Sequence, residues 1–412
     1  MRILLVLYEH DRDVRGGMGG FRHAVELAEA WRRAGHPTTI LRPRRGGTEE
    51  PTPVPVVETP MVEGAIVRPM SAYGGLLLGG LRAARRSRPE VIYAREMLGP
   101  VPLVLARLLG IPLVLEVNAD SYTHRRRVLR QSSLQLAVVR GLQRFNFRRA
   151  DRIVTVTPGL RTALIDRFAL DPARLAVVGN GANLARLAPM DAAQARRALG
   201  LPDGAYVGFV GTFFHHQGVA TLIAAASRML AARPATRFLV VGAGPAREAW
   251  EAAVRAAGLA AAFSFPGQVP HAVVGTWINA MDVCTAPFTA DRGEASPLKL
   301  FDYLACARPV VVSDIPAVRD FIAASGGCVP VPPDDPDALA TAIIALLDDD
   351  ARRRRLGDTG RAWVAAEHGW DMVARRVLDV CAAALTARAD RGRRGPSDHR
   401  AGPAGDRTPR PA

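Results

Sequence analysis

Three charged residues lie close together in one short segment: Glu294, Lys299 and Asp302. Lys299 is the only lysine in 412 residues, although Lys and Arg together number 54. An ammonium group at a helix N-terminus forms an anion site for which a diphosphate is the natural occupant. A carboxylate about one turn further on can accept hydrogen bonds from a ribose diol. The alternative is an exposed Lys–Asp pair that contributes only about 0.3 kcal/mol.

The residues before Lys299 predict the start of the helix that positions it. Ser296 is a favourable N-cap residue, and Pro297 suits the first helical position. The helix is expected to run from Pro297 to about Ala307, before the apolar run RPVVV begins a strand. The backbone N–H groups of Leu298 and Lys299 are then free to bind an anion.

Short apolar runs alternate with longer helical patterns along the chain. The runs in the first half are RILLVLY, TTIL, VIYA, PLVLEV, RIVTVT and LAVVGN, and those in the second are YVGFVG, RFLVVGA, AFSFPG, VCTAP, PVVVSD and CVPVP. Apolar strands separated by helices indicate parallel sheets that are covered on both faces. We therefore predict an α/β protein with two doubly wound, Rossmann-like domains that face each other across a cleft.

The strand pattern pauses between residues 180 and 205, where Pro and Gly cluster. We predict an N-terminal domain over residues 1–182, a linker over 183–205 and a C-terminal domain over 206–368. A helix over 369–388 is expected to cross back to the N-terminal domain. Residues 389–412 are rich in Arg, Pro and Gly without an apolar period, which predicts a disordered tail.

The net charge of +15 indicates an anionic partner. Nucleic acid is not favoured, because the sequence has no interleaved aromatic platform and no nucleic-acid-reading motif. No apolar run has the character of a signal peptide or a membrane span. A zinc site and a disulfide framework are not predicted, and a reducing cytoplasm is expected, because the cysteines are spread singly without a CxxC pair: Cys284, Cys306, Cys328 and Cys381.

Several segments, in order along the chain, resemble the retaining glycosyltransferases of family four, which have the GT-B fold. Glu294-x7-Asp302 matches the Glu-x7-Glu signature of that family, and the following ACARPVVVSD is similar to its Pro-Val-Val continuation. GGMGGFRHAVELAEAWRRAGH resembles the glycine loop and first helix of the family. The series continues with ADRIVTVTPGLRTAL, VVGNGAN, GFVGTFFHHQGVATLIAAA, LVVGAGPARE and FPGQVP. The resemblance covers most of residues 1–385.

The resemblance implies a donor site to which both domains contribute. Glu294 would contact the donor sugar or its phosphate, Asp302 the ribose, and the segment around Gln268 the nucleobase. Glycines in the first loop would let the backbone approach the diphosphate. Glu294 and Lys299 are the predicted catalytic residues. The predicted donor-binding residues are Gly16, Gly17, Gly211, Thr212, His216, Gln217, Val269, Glu294, Ser296, Leu298, Lys299 and Asp302.

Two positions depart from the cations with which the family often binds the diphosphate. The family has Arg after the glycine of its VG pair and Lys a few residues later, where this chain has Thr212 and Gln217. We predict that Lys299 replaces them, with His215 or His216 as a weaker substitute.

The acceptor side is predicted at the end of the strand PLVLEV. Many family members have a histidine near this place, where the chain has Asn118 close to Glu116. We predict that both residues bind the acceptor. A structural role in a turn is the alternative for Asn118.

The resemblance implies transfer of a sugar from a nucleotide-diphosphate sugar to a hydroxyl acceptor, with retention of configuration. No metal and no cofactor are expected, because positive protein groups would offset the charge on the leaving diphosphate. The acceptor could be a polysaccharide, a glycolipid or a small metabolite. The alternatives are a nucleotide-sugar epimerase or hydrolase of the same fold, and a catalytically degenerate protein that only binds the nucleotide sugar.

The segment 121–150 contains eight arginines and no acid. As one helix it would place Arg126, Arg130, Arg140, Arg144 and Arg148 near a single stripe. A solvated helix face is one interpretation. The other is contact with an anionic membrane surface or a lipid-phosphate acceptor, on the inner face of the cell membrane.

Overall fold

A computed structural model describes residues 1–8, 19–44, 52–62, 67–127, 131–293 and 296–393. Their strands form two separate parallel sheets, of seven and six strands. Both sheets are covered by helices on their two faces, so that the central strands, such as β1 (Ile3–Val6), β5 (Leu113–Val117), β11 (Val283–Ala286) and β12 (Val310–Ser313), are continuous runs of buried residues. This arrangement confirms the predicted α/β class with two Rossmann-like domains.

The first sheet has the strand order β3-β2-β1-β4-β5-β6-β7, with all neighbours parallel. Its order reverses between β1 and β4, which leaves a crevice at the carboxyl ends of these strands. The strands are β1 Ile3–Val6, β2 Thr38–Pro43, β3 Val56–Thr59, β4 Val91–Arg95, β5 Leu113–Val117, β6 Arg152–Thr155 and β7 Leu175–Val177. The helices are α1 Gly19–Arg33, α2 Val67–Ser87, α3 Val101–Leu109, α4 Ser121–Arg127, α5 Ser133–Arg149 and α6 Pro158–Phe168.

The second sheet has the order β10-β9-β8-β11-β12-β13 and repeats the same switch between β8 and β11. Its strands are β8 Ala205–Val210, β9 Thr236–Val241, β10 Phe263–Gly267, β11 Val283–Ala286, β12 Val310–Ser313 and β13 Cys328–Val331. The remaining helices are α7 Ala192–Leu199, α8 Val219–Ala232, α9 Arg247–Ala256, α10 Val274–Asn279, α11 Leu298–Ala305, α12 Arg319–Ser325, α13 Pro336–Asp348, α14 Asp350–Glu367 and α15 Trp370–Arg393.

The chain passes between the two domains at two places that lie side by side. Ala182 and Gly369 form a parallel bridge, and the Ala182 N–H donates to the His368 carbonyl over 2.8 Å. From there α15 lies along α1, where the Trp31 indole N–H donates to the Ala374 carbonyl over 3.1 Å. Val377 of α15 is buried in the core of the first sheet. The last helix therefore packs as part of the N-terminal domain.

Three details differ from the sequence-based expectation. Strand β3 was not predicted, because prolines flank its short run and only one of its four residues is fully buried. The arginine-rich segment forms two helices rather than one, since α4 ends at Arg127 and α5 begins at Ser133 with a capping box from Ser132 and Gln135.

Helix α15 continues to Arg393, so the start of the predicted tail at residue 389 is wrong. Residues 394–412 lie outside the described residues.

Candidate functional site

A cleft of about 890 Å³ lies between the two domains, at the carboxyl ends of their strands. In the N-terminal domain it is reached by residues that follow or end β4 and β5, and in the C-terminal domain by loops after β8, β9 and β10. The residues that line it include Arg22, His23, Arg95, Asn118, Asn180, Gly211, Thr212, His216, Gln217, Gln268, Val269, Arg292, Ser296, Leu298, Lys299 and Asp302. This is the position where doubly wound sheets bind their ligands.

Lys299 lies in the first turn of α11, and its ammonium group points at the loop after β8. Nζ donates a hydrogen bond to Gln217 Oε1 over 2.6 Å and lies 3.7 Å from the centre of the Phe209 ring. The Tyr303 hydroxyl, one turn further along α11, accepts from the Val210 N–H over 2.7 Å. This bond fixes α11 against the end of β8, so that Lys299 faces the cleft beside Gly211.

Gly211 and Gln217 explain how the loop accommodates this ammonium group. Gly211 has φ +153°, and a Cβ built there would lie 2.7 Å from Lys299 Nζ. A lysine at position 217, as the family often has, would place a second ammonium where Gln217 Oε1 now accepts from Lys299. The amide of Gln217 therefore suits a neighbouring ammonium group, which it contacts as an acceptor.

A second cation that the sequence did not predict lies next to Lys299. The Arg292 guanidinium lies 4.1 Å from the centre of the Phe288 ring, whose face Lys299 Nζ approaches to 5.7 Å. Burial lowers the pKa of Arg292 to about 10. Burial and then the charge of Arg292 hold the pKa of Lys299 well below its usual value. No local sequence motif marks Arg292, which precedes Glu294 by two residues.

Asp302 faces the N-terminal domain across the cleft. Burial and, second, the carboxylate of Glu26 raise the pKa of Asp302 to about 7, against the lowering effect of Arg22. Glu26 itself is buried and forms an ion pair of 3.0 Å with Arg22 on α1. Asn183 donates to Glu26 over 2.8 Å. The pKa of the ribose-binding residue proposed from the sequence is thus raised mainly by burial and further adjusted by charges of the opposite domain.

The start of α11 is a contact between the domains. Asn180 Nδ2 donates to the Ser296 carbonyl over 2.8 Å, and Leu298 packs against the core of the N-terminal domain. Pro297, not Ser296, is the N-cap residue, and no side chain from the described part of the chain caps the helix. The prediction of a Ser296 cap is therefore wrong by one residue, because the Ser296 carbonyl is held by Asn180. Ser296 and Leu298 still line the cleft.

The opposite wall of the cleft is a buried polar network at the end of β5. Glu116 accepts from His23 Nε2 over 2.7 Å, from Asn118 Nδ2 over 3.3 Å and from Arg95 over 3.5 Å. Burial raises the pKa of Glu116, but His23 and then Arg95 outweigh it and lower that pKa to about 2. His23, Arg95 and Asn118 reach the cleft, and the Asn118 Oδ1 is buried without a hydrogen-bond partner in the described part of the chain.

Glu116 does not line the cleft and is only 3% exposed. The structure gives it a positioning role beneath Asn118 and His23 in place of the direct acceptor contact that the sequence suggested. Its carboxylate holds these side chains because charge-assisted hydrogen bonds are the strong ones. The sequence did not identify His23 or Arg95, which belong to α1 and β4 and are distant from residue 116 along the chain.

Some of the other predicted donor residues line the cleft, and some lie outside the described residues. Thr212, His216 and Val269 line the cleft, and His216 lies in a short 3-10 helix, His215–Gln217. Gly16, Gly17 and Glu294 lie outside the described residues. Within the described ranges no group of three or more His, Cys, Asp or Glu side chains is arranged to hold a metal ion.

Two facing parallel sheets with a ligand cleft between them define the GT-B fold class. Comparisons of the amino-acid sequence with known proteins support the assignment to this fold class. A model described as Glycosyltransferase Family 4 matches residues 17–186, and one described as Glycosyl transferases group 1 matches residues 204–349. The 2-deoxystreptamine N-acetyl-D-glucosaminyltransferase of Streptomyces fradiae is 30% identical over 302 residues, 71% of this chain and 70% of that protein.

Solved structures agree with this fold. Sucrose-phosphate synthase of Thermosynechococcus elongatus superposes with a TM-score of 0.77 at 22% identity, covering 93% of this chain and 99% of that one. Anabaena HepE in complex with UDP-glucose gives 0.72 at 16% identity, covering 93% and 100%. The chain belongs to the group 1, family 4 glycosyltransferases, as its motifs predicted, and is a glycosyltransferase.

The raised pKa of Asp302 makes stability depend on pH. The folded protein holds the Asp302 proton up to about pH 7, whereas the unfolded chain loses it near its ordinary pKa of about 4. Stability from this group therefore falls as pH rises from about 4 to 7. We expect the gain in unfolding free energy from Asp302→Asn to be about 2–3 kcal/mol larger at pH 8 than at pH 5, measured by urea denaturation.

Asp203→Asn is the control, because Asp203 is an exposed aspartate of the same domain. It should change stability equally at both pH values. An Asp302→Asn effect that is the same at pH 5 and pH 8 would contradict the raised pKa.

Proposed function

We propose that this glycosyltransferase uses a nucleoside-diphosphate sugar as donor and transfers the sugar to a hydroxyl acceptor with retention of configuration. The observation that carries the proposal is the ammonium group of Lys299, which faces the interdomain cleft with an amide and aromatic rings as its neighbours. Within the described residues it has no carboxylate partner. A bound diphosphate would supply the missing negative charge.

The proposed reaction takes place on one face of the sugar. The acceptor oxygen forms a bond to the anomeric carbon while the bond from that carbon to the diphosphate oxygen breaks. The acceptor proton passes to the leaving phosphate oxygen, so that no separate base is needed. Lys299 offsets the negative charge that develops on the leaving group, and neither a metal nor a cofactor is part of the proposal.

The donor is proposed to span both domains. Asp302 would accept from the ribose hydroxyls, while Val269 and Gln268 line the cleft where the base would lie. Gly16, Gly17 and Glu294 keep the roles that the family resemblance implies. HepE, which has the same fold, was solved with UDP-glucose bound, and this supports a nucleotide-sugar donor.

The acceptor is proposed to bind against the polar wall at the end of β5. Asn118 Oδ1, which has no hydrogen-bond partner among the described residues, can accept from a sugar or cyclitol hydroxyl. The Streptomyces fradiae relative, whose name gives 2-deoxystreptamine as its acceptor, supports an acceptor with several ring hydroxyls.

A panel of nucleoside-diphosphate sugars, incubated without acceptor, tests the function. We expect one or more donors to bind and to release free sugar slowly. Lys299→Met should lower the rate of sugar release about 100- to 1,000-fold, because it removes the charge that stabilises the leaving diphosphate. Lys299→Arg should not restore the rate, because the space beside Gly211 is too small for a guanidinium. A Cβ at Gly211 would already lie 2.7 Å from Lys299 Nζ.

The other outcomes separate the alternatives. An isomerised donor would indicate an epimerase, and binding without any turnover, also when hydroxyl acceptors are added, would indicate a catalytically degenerate protein. If no nucleoside-diphosphate sugar binds, the proposal is wrong.

We also propose that the exposed face of α5 meets an anionic membrane surface from the cytoplasmic side. Leu134, Val138 and Phe145 share this face and are 76%, 55% and 40% exposed. Arg144 and Arg148 are exposed on the same helix. Such a helix binds at a lipid interface through its apolar stripe and its arginines. The free state of all four cysteines supports a reducing compartment.

No helix within the described ranges is long and apolar enough to cross a membrane. Because α5 exposes apolar and arginine side chains together, we expect wild-type protein to cosediment with phosphatidylglycerol vesicles and to be released by salt. Replacing both Leu134 and Phe145 by Ser should reduce this binding at least about fivefold, because it removes the apolar contact. Leu78→Ser, at an exposed position of α2, is the control. Equal binding of wild type and the double variant would contradict the proposal.

A further inference from the structure

We propose that Arg292 and Lys299 act together as a paired cation site that holds the diphosphate of the donor. The pair would take the place of the two cations that are absent at Thr212 and Gln217. This inference rests on the proposed function and adds to it a residue, Arg292, that neither the motifs nor the family resemblance identifies.

The turn after β11 fixes the backbone of Arg292. The Arg292 N–H donates to the Thr289 carbonyl over 3.1 Å, and the Thr289 N–H donates to the His216 carbonyl over 3.3 Å. The Ala290 N–H donates to the Asp334 carboxylate over 2.9 Å. Arg292 is therefore tied to the same loop after β8 that contacts Lys299 through Gln217.

The Phe288 ring holds the guanidinium without neutralising it. The Arg292 Cζ atom lies 4.1 Å from the ring centre, and Phe288 is fully buried. Stacking on an aromatic face favours a cation but leaves its N–H groups free to donate in the plane of the guanidinium. Lys299 is held in the same way, by Phe209 and more distantly by Phe288. Both cations thus share one aromatic support.

Arg292 has donors that lack acceptors. Nε and Nη1 are buried and have no hydrogen-bond partner within the described residues. The acid nearest along the chain, Asp291, instead accepts from the Thr289 hydroxyl over 2.6 Å. A buried arginine donor without an acceptor is costly, and native structures usually satisfy it with a protein group, a water, an ion or a ligand. Because Arg292 lines the cleft, an anionic ligand there can supply the acceptor.

The guanidinium of Arg292 disfavours the charged form of its neighbour Lys299. The charge of Arg292 lowers the pKa of Lys299, in addition to the effect of burial. Two adjacent cations that line one cleft are unfavourable alone and favourable around a dianion. A diphosphate carries the required charge, and its oxygens suit the two parallel N–H donors of a guanidinium. A purely structural arginine would not need an ammonium group as its neighbour.

Binding of UDP, GDP and ADP, each compared with its nucleoside by competition, tests the pair. For the diphosphate that binds wild type, Arg292→Gln should weaken binding at least tenfold and change the affinity for the nucleoside less than twofold. Arg292→Lys should recover only part of the loss, because an ammonium keeps the charge but loses the planar pair of donors. Arg228→Gln is the matched control, since Arg228 is an exposed arginine on α8 that pairs with Asp337.

The possible binding results distinguish a failure of the paired cation site from a failure of the proposed function. Unchanged diphosphate affinity in Arg292→Gln would overturn the paired site while leaving the proposed function intact. Equal losses for diphosphate and nucleoside would also overturn it, since they indicate a collapsed turn rather than a missing phosphate contact. Failure of wild type to bind any nucleoside diphosphate would overturn the proposed function itself.

Discussion

The ammonium group of Lys299 is held at the end of β8 by one amide oxygen and two aromatic rings, next to the guanidinium of Arg292. Placing a cation in a partly buried site costs free energy unless an anion compensates it. The surrounding residues therefore fit around this charge: Gly211 leaves space for it, Gln217 accepts from it, and Tyr303 fixes its helix. An anionic ligand completes the arrangement.

The same cleft connects the two domains, because the start of α11 belongs to both. Asn180, at the end of the first domain, donates to the Ser296 carbonyl, and Leu298 packs into the core of that domain. Asp302 responds to charges on α1. A donor that contacts Lys299 and Asp302 is thus placed directly beside the polar wall of the N-terminal domain, where the acceptor is proposed to bind.

Much of the fold could be predicted from the sequence, because continuous apolar strands can be recognised without knowing their partners. Strand β3 could not, since its polar and proline-flanked run resembles a loop and gains its partner only from the backbone of β2. Lys299 and Asp302 could be predicted because they lie on adjacent turns of one helix. Arg292, His23 and Arg95 could not, because burial, stacking and contacts between distant elements decide their roles.

Because Lys299 is the only lysine, protein labelled with lysine carrying ¹³C at Cε gives a single lysine signal whose pH titration reports one ammonium group. We expect this signal to titrate well below the usual lysine pKa of 10.5 in the free protein. Saturation with the nucleoside diphosphate should move the titration upward, because the diphosphate stabilises the protonated form. A titration near 10.5 in the free protein, or one that nucleotide binding leaves unchanged, would contradict the central claim.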